Sequence, residues 1–343
     1  MRHHIASLGT ALFLFAASCG TAQAYGPGKI NDFDGRRVLL IGIDGTRADA
    51  LRKVVEDGRA PALAGLIKDG SVTWNGYTGG EPGSATPQKT LSGPGWSTIF
   101  TGVWRDKHGV TDNRFVQHHL AQWPHLARHL KDTHPFAWTA SLCDWPEISK
   151  FIVESGRGEW HQIVDFDFVA TPEPMAKGGD YAQRDTEVAI RSVEHLRRSD
   201  PDFMFVYFGD VDEVGHGSVD PGAAFSPESE PYLSAISAVD RHIAEVLAAV
   251  RARPQIAQES WLILVTTDHG GRKQGHGGQS PEERTIWMIA AGGSAPAGQV
   301  IAGPVPQTAI APTVFAHLGV PVAPEWGWEA APFAIVPPQP AHP

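Results

Sequence analysis

The sequence predicts an α/β fold: a largely parallel central sheet with helices on both faces, carrying a small cap insertion. Three observations carry the sheet. Short, continuous apolar runs recur at Val38–Ile43, Phe136–Leu142, Phe203–Phe208, Trp261–Thr267 and Ile286–Ala291. Stretches of helical period lie between them, at Ala48–Lys68, His125–Lys131, Asp185–Arg198 and Tyr232–Ala252. Each apolar run ends in a polar or glycine cluster. Unbroken rather than alternating hydrophobicity marks strands covered on both faces. Its alternation with helical stretches implies a wound sheet.

Taken in order, the chain opens with Arg2, His3 and His4 before an apolar stretch from Ile5 to Ser18, and Ala22-Gln23-Ala24 has the small-x-small form of a cleavage site. Residues 1–24 therefore read as a signal peptide, and the protein as exported, periplasmic or secreted. Ala16-Ala17-Ser18-Cys19 also fits a lipoprotein cleavage site, so membrane attachment is expected only if Cys19 is lipidated. Either way Cys143 is left alone, which excludes an internal disulfide. Residues 25–343 read as one catalytic domain. Within it, 145–181 is an irregular excursion read as a possible cap, and the stretch from Pro337 reads as an extended tail.

Charge narrows the partners. The chain has 28 Lys plus Arg against 38 Asp plus Glu, a formal charge of −10. Coating of nucleic acid, which needs a basic face, is excluded as a general mode. Two cysteines cannot form a disulfide scaffold or a four-thiolate zinc site. The 16 histidines are the informative count, because imidazole is the commonest neutral metal ligand.

In open α/β sheets, ligands bind at the carboxyl ends of strands. Asp44-Gly45-Thr46 follows the first run, and Gly209-Asp210-Val211-Asp212-Glu213-Val214-Gly215-His216 follows the third. Asp268-His269-Gly270-Gly271 follows the fourth, with Gly275-His276-Gly277 close behind. A single Asp there would be an ordinary turn residue. Three such clusters on one edge, with Asp212 and His216 spaced to share a helix face, point instead to divalent metal. Three carboxylates and three imidazoles without thiolate suit zinc or another borderline ion, and six ligands are too many for one tetrahedral site.

A nucleophile is sought in Thr90-Leu91-Ser92-Gly93-Pro94-Gly95-Trp96, ahead of Ser97 to Gly102. Pro94 fits the first turn of a helix and Gly102 its end. Ser92 then lies at the positive helix end, where N–H groups accept an anion. Thr90 is the runner-up.

With these residues in place, the chain resembles the alkaline phosphatase superfamily, and within it the nucleotide pyrophosphatase/phosphodiesterase branch. The resemblance runs from about Val38 to Val320. It is carried by Asp44-Gly45, Ser92 ahead of Thr98-Ile99-Phe100-Thr101-Gly102, and Lys107-His108-Gly109-Val110. It continues through Asp212-x-x-Gly215-His216, Thr267-Asp268-His269-Gly270, Gly275-His276-Gly277 and the final Gln307-Thr308-Ala309-Ile310-Ala311-Pro312-Thr313. The resemblance implies two Zn2+ ions: one on Asp212, His216 and His276, the other on Asp44, Asp268 and His269 with Ser92. It implies in-line attack by Ser92, a covalent phosphoserine, and hydrolysis of a small phosphate ester, with Gly93 and neighbouring N–H groups on a phosphoryl oxygen. It implies no particular oligomeric state.

Two departures stand out. The branch usually has Thr where this chain has Ser92, and Asn where it has Gly95, so the Asn contact is sought from Lys89 or Asn113. Ser92-Gly93-Pro94-Gly95-Trp96 also nearly matches the sulfatase pattern Cys/Ser-x-Pro-x-Arg, with Trp96 in place of Arg. A diesterase or pyrophosphatase is the leading expectation. Phosphomonoesterase, then sulfatase or phosphonate hydrolase, are the enzymatic alternatives, and an inactive zinc-stabilised binding protein is the non-enzymatic one. Trp145, Trp160, Phe166 and Phe168 are expected mainly to pack, and His108, His118 and His119 to be structural or exposed.

Overall fold

The computed structural model describes residues 33–155, 164–170 and 181–336. The leader with Cys19, Trp160 and the tail from Pro337 lie outside them. In chain order the elements are β1 (Arg36–Ile43), α1 (Ala48–Glu56), α2 (Pro61–Asp69), β2 (Gly70–Tyr77), α3 (Ser92–Thr101), α4 (Arg105–His108), α5 (Leu126–Thr133) and β3 (Thr139–Cys143). There follow β4 (Phe166–Val169), α6 (Tyr181–Arg198), β5 (Phe203–Phe208), α7 (Asp210–Gly215), α8 (Glu230–Arg251) and β6 (Ser260–Thr266). The chain closes with α9 (Pro281–Arg284), β7 (Thr285–Ala291), β8 (Gln299–Ile301), β9 (Val305–Pro306) and α10 (Ile310–Leu318).

The strands form one sheet in the order β4-β3-β5-β1-β6-β7-β2-β8, with β9 beside β2. From β4 to β6 neighbours are parallel, and β7 runs antiparallel to both β6 and β2. The continuous apolar runs have the expected cause. In β1, Leu39, Ile41 and Ile43 pack under α1, α6 and α8, while Val38 and Leu40 face α3 and α10 on the other side. Each such side chain removed from water contributes about 1.5–3 kcal/mol, so both layers hold the sheet.

Local chemistry moved several boundaries. The helix expected over Ala48–Lys68 is two helices, because Gly58 has φ +71° and Pro61 starts α2; the residue before a proline avoids the helical region. The strand expected from Phe136 begins at Thr139, and Phe136 is 80% exposed. Strands β2 and β4 were not expected. Of the stretch read as a cap, Ile148–Val153 forms a π-helix packed in the core and Phe166–Val169 extends the sheet edge beside β3.

Beneath α3, the buried His108 accepts the Val110 N–H on Nδ1 (3.1 Å), so its proton sits on Nε2, 3.1 Å from Thr98 Oγ1. Burial, then the charges of Arg105, His118 and His119, hold its pKa down to about 3 from 6.5. Below pH 6.5 the unfolded chain takes up this proton and the folded chain does not. Stability therefore falls as pH drops from 6.5 towards 3, by about 1.4 kcal/mol per pH unit for this group. His108→Gln is expected to flatten that slope by one group's share, read from denaturant unfolding at about pH 7 and about pH 5.

Candidate active site

The site follows from strand order. Because β5, β1 and β6 are adjacent and parallel, the residues after them emerge on the same edge. This brings together Asp44, the α7 segment with Asp212 and His216, and the Asp268-His269 turn. Helix α3 places Ser92 against them. Gly45 has φ +60°, and a Cβ there would overlap Asp212 Oδ1, so this turn between two of the clusters admits only glycine.

The six expected ligands converge. His216 Nε2 lies 2.9 Å from His276 Nε2 and 3.3 Å from Asp212 Oδ2, and His276 Nε2 lies 3.5 Å from Asp212 Oδ1. His269 Nε2 lies 3.1 Å from Asp268 Oδ2 and 3.5 Å from Asp44 Oδ1. Ser92 Oγ is 3.4 Å from both Asp44 Oδ1 and His269 Nε2. His269 is within ligand reach of both acid clusters, joining Asp44 and Asp268 on one side and Asp212 and His276 on the other.

Hydrogen bonding shows that this donor set fits divalent cations. The Nδ1 atoms of His216, His269 and His276 each face a backbone carbonyl, of Gln274 (3.0 Å), Gly270 (2.8 Å) and Thr90 (2.8 Å). A carbonyl only accepts, so each Nδ1 carries a proton, and each Nε2 has a lone pair that points inward to take either a cation or a second proton. Two inward lone pairs 2.9 Å apart on His216 and His276 require positive charge between them. Buried oxygens of Asp212 (Oδ1) and Asp268 (Oδ2) have no hydrogen-bond donor.

The electrostatics agree. Burial, then repulsion by Asp212, raises the Asp44 carboxyl against the bonds from Tyr207 and Trp96. Burial, then Asp44 and Asp212, raises Asp268. Burial opposes charge on His216, yet the Asp212 carboxylate raises it to about 9. A proton is thus drawn to the point where the donors converge.

The nucleophile candidates separate. Ser92 is the first residue of α3, after Leu91 at the N-cap, and its hydroxyl is directed to the cluster. Thr90 Oγ1 instead donates to Gly278 O (2.9 Å) and accepts from Gly277 N (3.0 Å), bracing the turn that carries His276.

The Gly93 N–H, expected to hold a phosphoryl oxygen, donates here to Asn113 Oδ1 at 2.8 Å. That bond holds Asn113 at the pocket and leaves its NH2 as the donor beside Ser92. Lys89 is exposed, its charge near Asp112, and does not line the pocket.

The pocket, about 150 Å³, is lined by Asp44, Ser92, Asp212, His216 and His276 and, away from the cluster, by Asn113, Trp145, Tyr181 and Glu213. Trp145 and Tyr181 are the two ends of the stretch read as a cap. Phe166 stacks on His195 and Phe168 lies under Arg191, so both pack away from the site. His108, His118 and His119 do not line it. A larger groove of about 460 Å³ along α1, with Arg47, Arg52, Lys53 and Trp74, contains no histidine.

Sequence reasoning missed Tyr181, Glu213 and the Asp44 partners Trp96 and Tyr207. Trp96 stood out only as a residue replacing an Arg.

Residues 38–274 match the family model for type I phosphodiesterase / nucleotide pyrophosphatase. No curated protein matches the chain by sequence. Similar solved structures include the phosphonate monoester hydrolase of Silicibacter pomeroyi, at TM-score 0.59 and 15% identity, covering 87% of this chain and 75% of that one. The phosphonate monoester hydrolase of Agrobacterium radiobacter gives 0.53 and 16%, over 82% and 73%. A 2-O GAG sulfatase gives 0.61 and 14%, over 84% and 71%. At these identities the likeness is one of fold.

Proposed function

The chain belongs to the type I phosphodiesterase/nucleotide pyrophosphatase family, within the alkaline phosphatase superfamily of hydrolases, and from that premise we propose that it is an exported two-zinc hydrolase of phosphodiester or pyrophosphate bonds. The observation that carries the proposal is Ser92 Oγ, 3.4 Å from Asp44 Oδ1 and from His269 Nε2, at the edge of a donor set with inward lone pairs. Asp212, His216 and His276 would hold one ion, and Asp44, Asp268, His269 and Ser92 the other. When bound, two divalent ions supply the positive charge that makes a hydroxyl nucleophilic near neutral pH and offsets the charge of the phosphoryl group.

The chain's own residues do the rest. Asp44 Oδ1 and His269 Nε2 both face Ser92 Oγ and fix where it lies, and its proton passes to solvent. Ser92 Oγ forms the new bond to phosphorus as the bond to the leaving oxygen breaks, and the leaving alkoxide takes a proton from solvent. Water then displaces Ser92 and restores the hydroxyl. The Asn113 NH2 binds a non-bridging oxygen and orients the group for in-line attack. Trp145, Tyr181 and Glu213 receive the leaving group or the second ester.

The lining favours a diester over a monoester. Among the described residues it holds no Lys or Arg but does hold Asp44, Asp212 and Glu213. A dianionic monoester would need more positive charge than a monoanionic diester. The residues 1–24 leader supports export.

The test is a panel of bis-nitrophenyl phosphate, nitrophenyl phosphate, a nitrophenyl phosphonate ester and nitrophenyl sulfate, run with measurement of bound zinc. The expected result is two zinc ions per chain and kcat/KM at least about tenfold higher for the diester than for the monoester, a difference of about 1.4 kcal/mol in transition-state binding. A preference for sulfate would move the assignment to a sulfatase. Zinc without turnover of any ester would leave a binding protein.

A further inference from the structure

Asp44 divides its two carboxylate oxygens between different tasks. Oδ1 faces Ser92 and His269. Oδ2 faces away and accepts two hydrogen bonds, from Trp96 Nε1 at 2.8 Å and from Tyr207 Oη at 2.6 Å. We propose that Trp96 and Tyr207 act as a pair of positioning residues, clamping Asp44 Oδ2 so that Oδ1 alone is presented to a cation and to the nucleophile. This rests on the two-zinc reading above.

The clamp is a built feature. Trp96, Tyr207 and Asp44 are all buried, at 0%, 3% and 1% exposure. Trp96 projects from the second turn of α3 and Tyr207 from β5, so the donors come from elements separated by more than one hundred residues. Their rings meet edge to face at 5.2 Å, and Phe205 packs against the indole at 5.7 Å. The indole fits because β1 has glycine at position 42, where a Cβ would overlap its six-membered ring.

The physical consequence follows from donor chemistry. Indole N–H can only donate, so Oδ2 is held as an acceptor. A rotation of the carboxylate out of this orientation would break two buried hydrogen bonds and leave their donors unpaired, at about 1–3 kcal/mol each. Groups of this kind, which bond to a metal ligand rather than to the metal, typically change metal affinity 10- to 100-fold when removed. The pair also belongs to the Ser92 side of the site only. His216 and His276 are held by different groups, the carbonyls of Gln274 and Thr90.

Tyr207→Phe and Trp96→Phe, titrated with zinc against a chromogenic chelator, test the pair. One of the two zinc equivalents is expected to weaken about 10- to 100-fold while the other keeps its wild-type affinity. Asp44→Asn serves as the reference that identifies the affected equivalent. Wild-type affinity at both equivalents in Tyr207→Phe, or equal weakening of both as general loss of structure would give, would overturn the clamp. Where Trp96→Phe does not fold, Tyr207→Phe decides alone, because it removes a single oxygen. Failure of the underlying reading looks different: the wild-type protein itself then fails to bind two zinc ions.

Discussion

Ser92→Ala is expected to lower turnover of the preferred ester by about a thousandfold or more while both zinc equivalents still bind. The magnitude is that of removing a covalent nucleophile, where only binding and electrostatic stabilisation remain. The side chain is small and α3 does not use it as a cap, so the substitution removes chemistry without removing structure. Rapid quenching of the wild-type reaction, followed by mass analysis, is expected to find the substrate-derived phosphoryl group on Ser92. Thr90 provides the contrast, because its hydroxyl is committed to Gly277 and Gly278. An adduct on Thr90, or full activity in Ser92→Ala, would overturn the assignment of the nucleophile.

Removal of divalent metal is expected to abolish activity and to lower the melting temperature by about 10 °C. Asp212 raises the cost of ionising Asp44, both raise that of Asp268, and Asp212 Oδ1 and Asp268 Oδ2 lack donors. Without cations, the fold must hold mutually repelling carboxylates or protonate them. Each of two ions present at about a thousand times its dissociation constant stabilises the folded state by about 4 kcal/mol, about 8 kcal/mol together. For a chain of this size that corresponds to about 10 °C. Calorimetry before chelation, after chelation and after zinc is restored measures the effect. An unchanged melting temperature together with unchanged activity would remove the metal from the account.

Much of the site was legible because its chemistry is local. Asp44, Asp212, Asp268 and His269 each sit just past an apolar run, and a strand ending in a carboxylate can be recognised without a partner. The Asp212–His216 spacing is likewise a property of one helical turn, and α7 supplies that turn. The partner of the Gly93 N–H was not legible, for the opposite reason. Its bond goes to Asn113, twenty residues on, and nothing within α3 announces that the Asp112–Asn113 loop crosses the start of the helix. Strand β2 lacked a clear apolar run because its Gly70, Ser71, Asn75 and Gly76 interrupt one. It is a strand because β7 pairs with it.

By itself the sequence determined that this is a wound α/β protein with acids and histidines at strand ends, since burial on both faces and turn chemistry are written in neighbouring residues. Only the tertiary structure decided how those residues act together. The adjacency of β5, β1 and β6 sets which carboxylates meet, and three backbone carbonyls set the histidine tautomers. The bonds from Trp96 and Tyr207 set which oxygen of Asp44 faces Ser92. The reason is physical: hydrogen-bond direction and charge repulsion act over a few ångströms of space, and residues that close are here separated by up to more than two hundred positions in the chain.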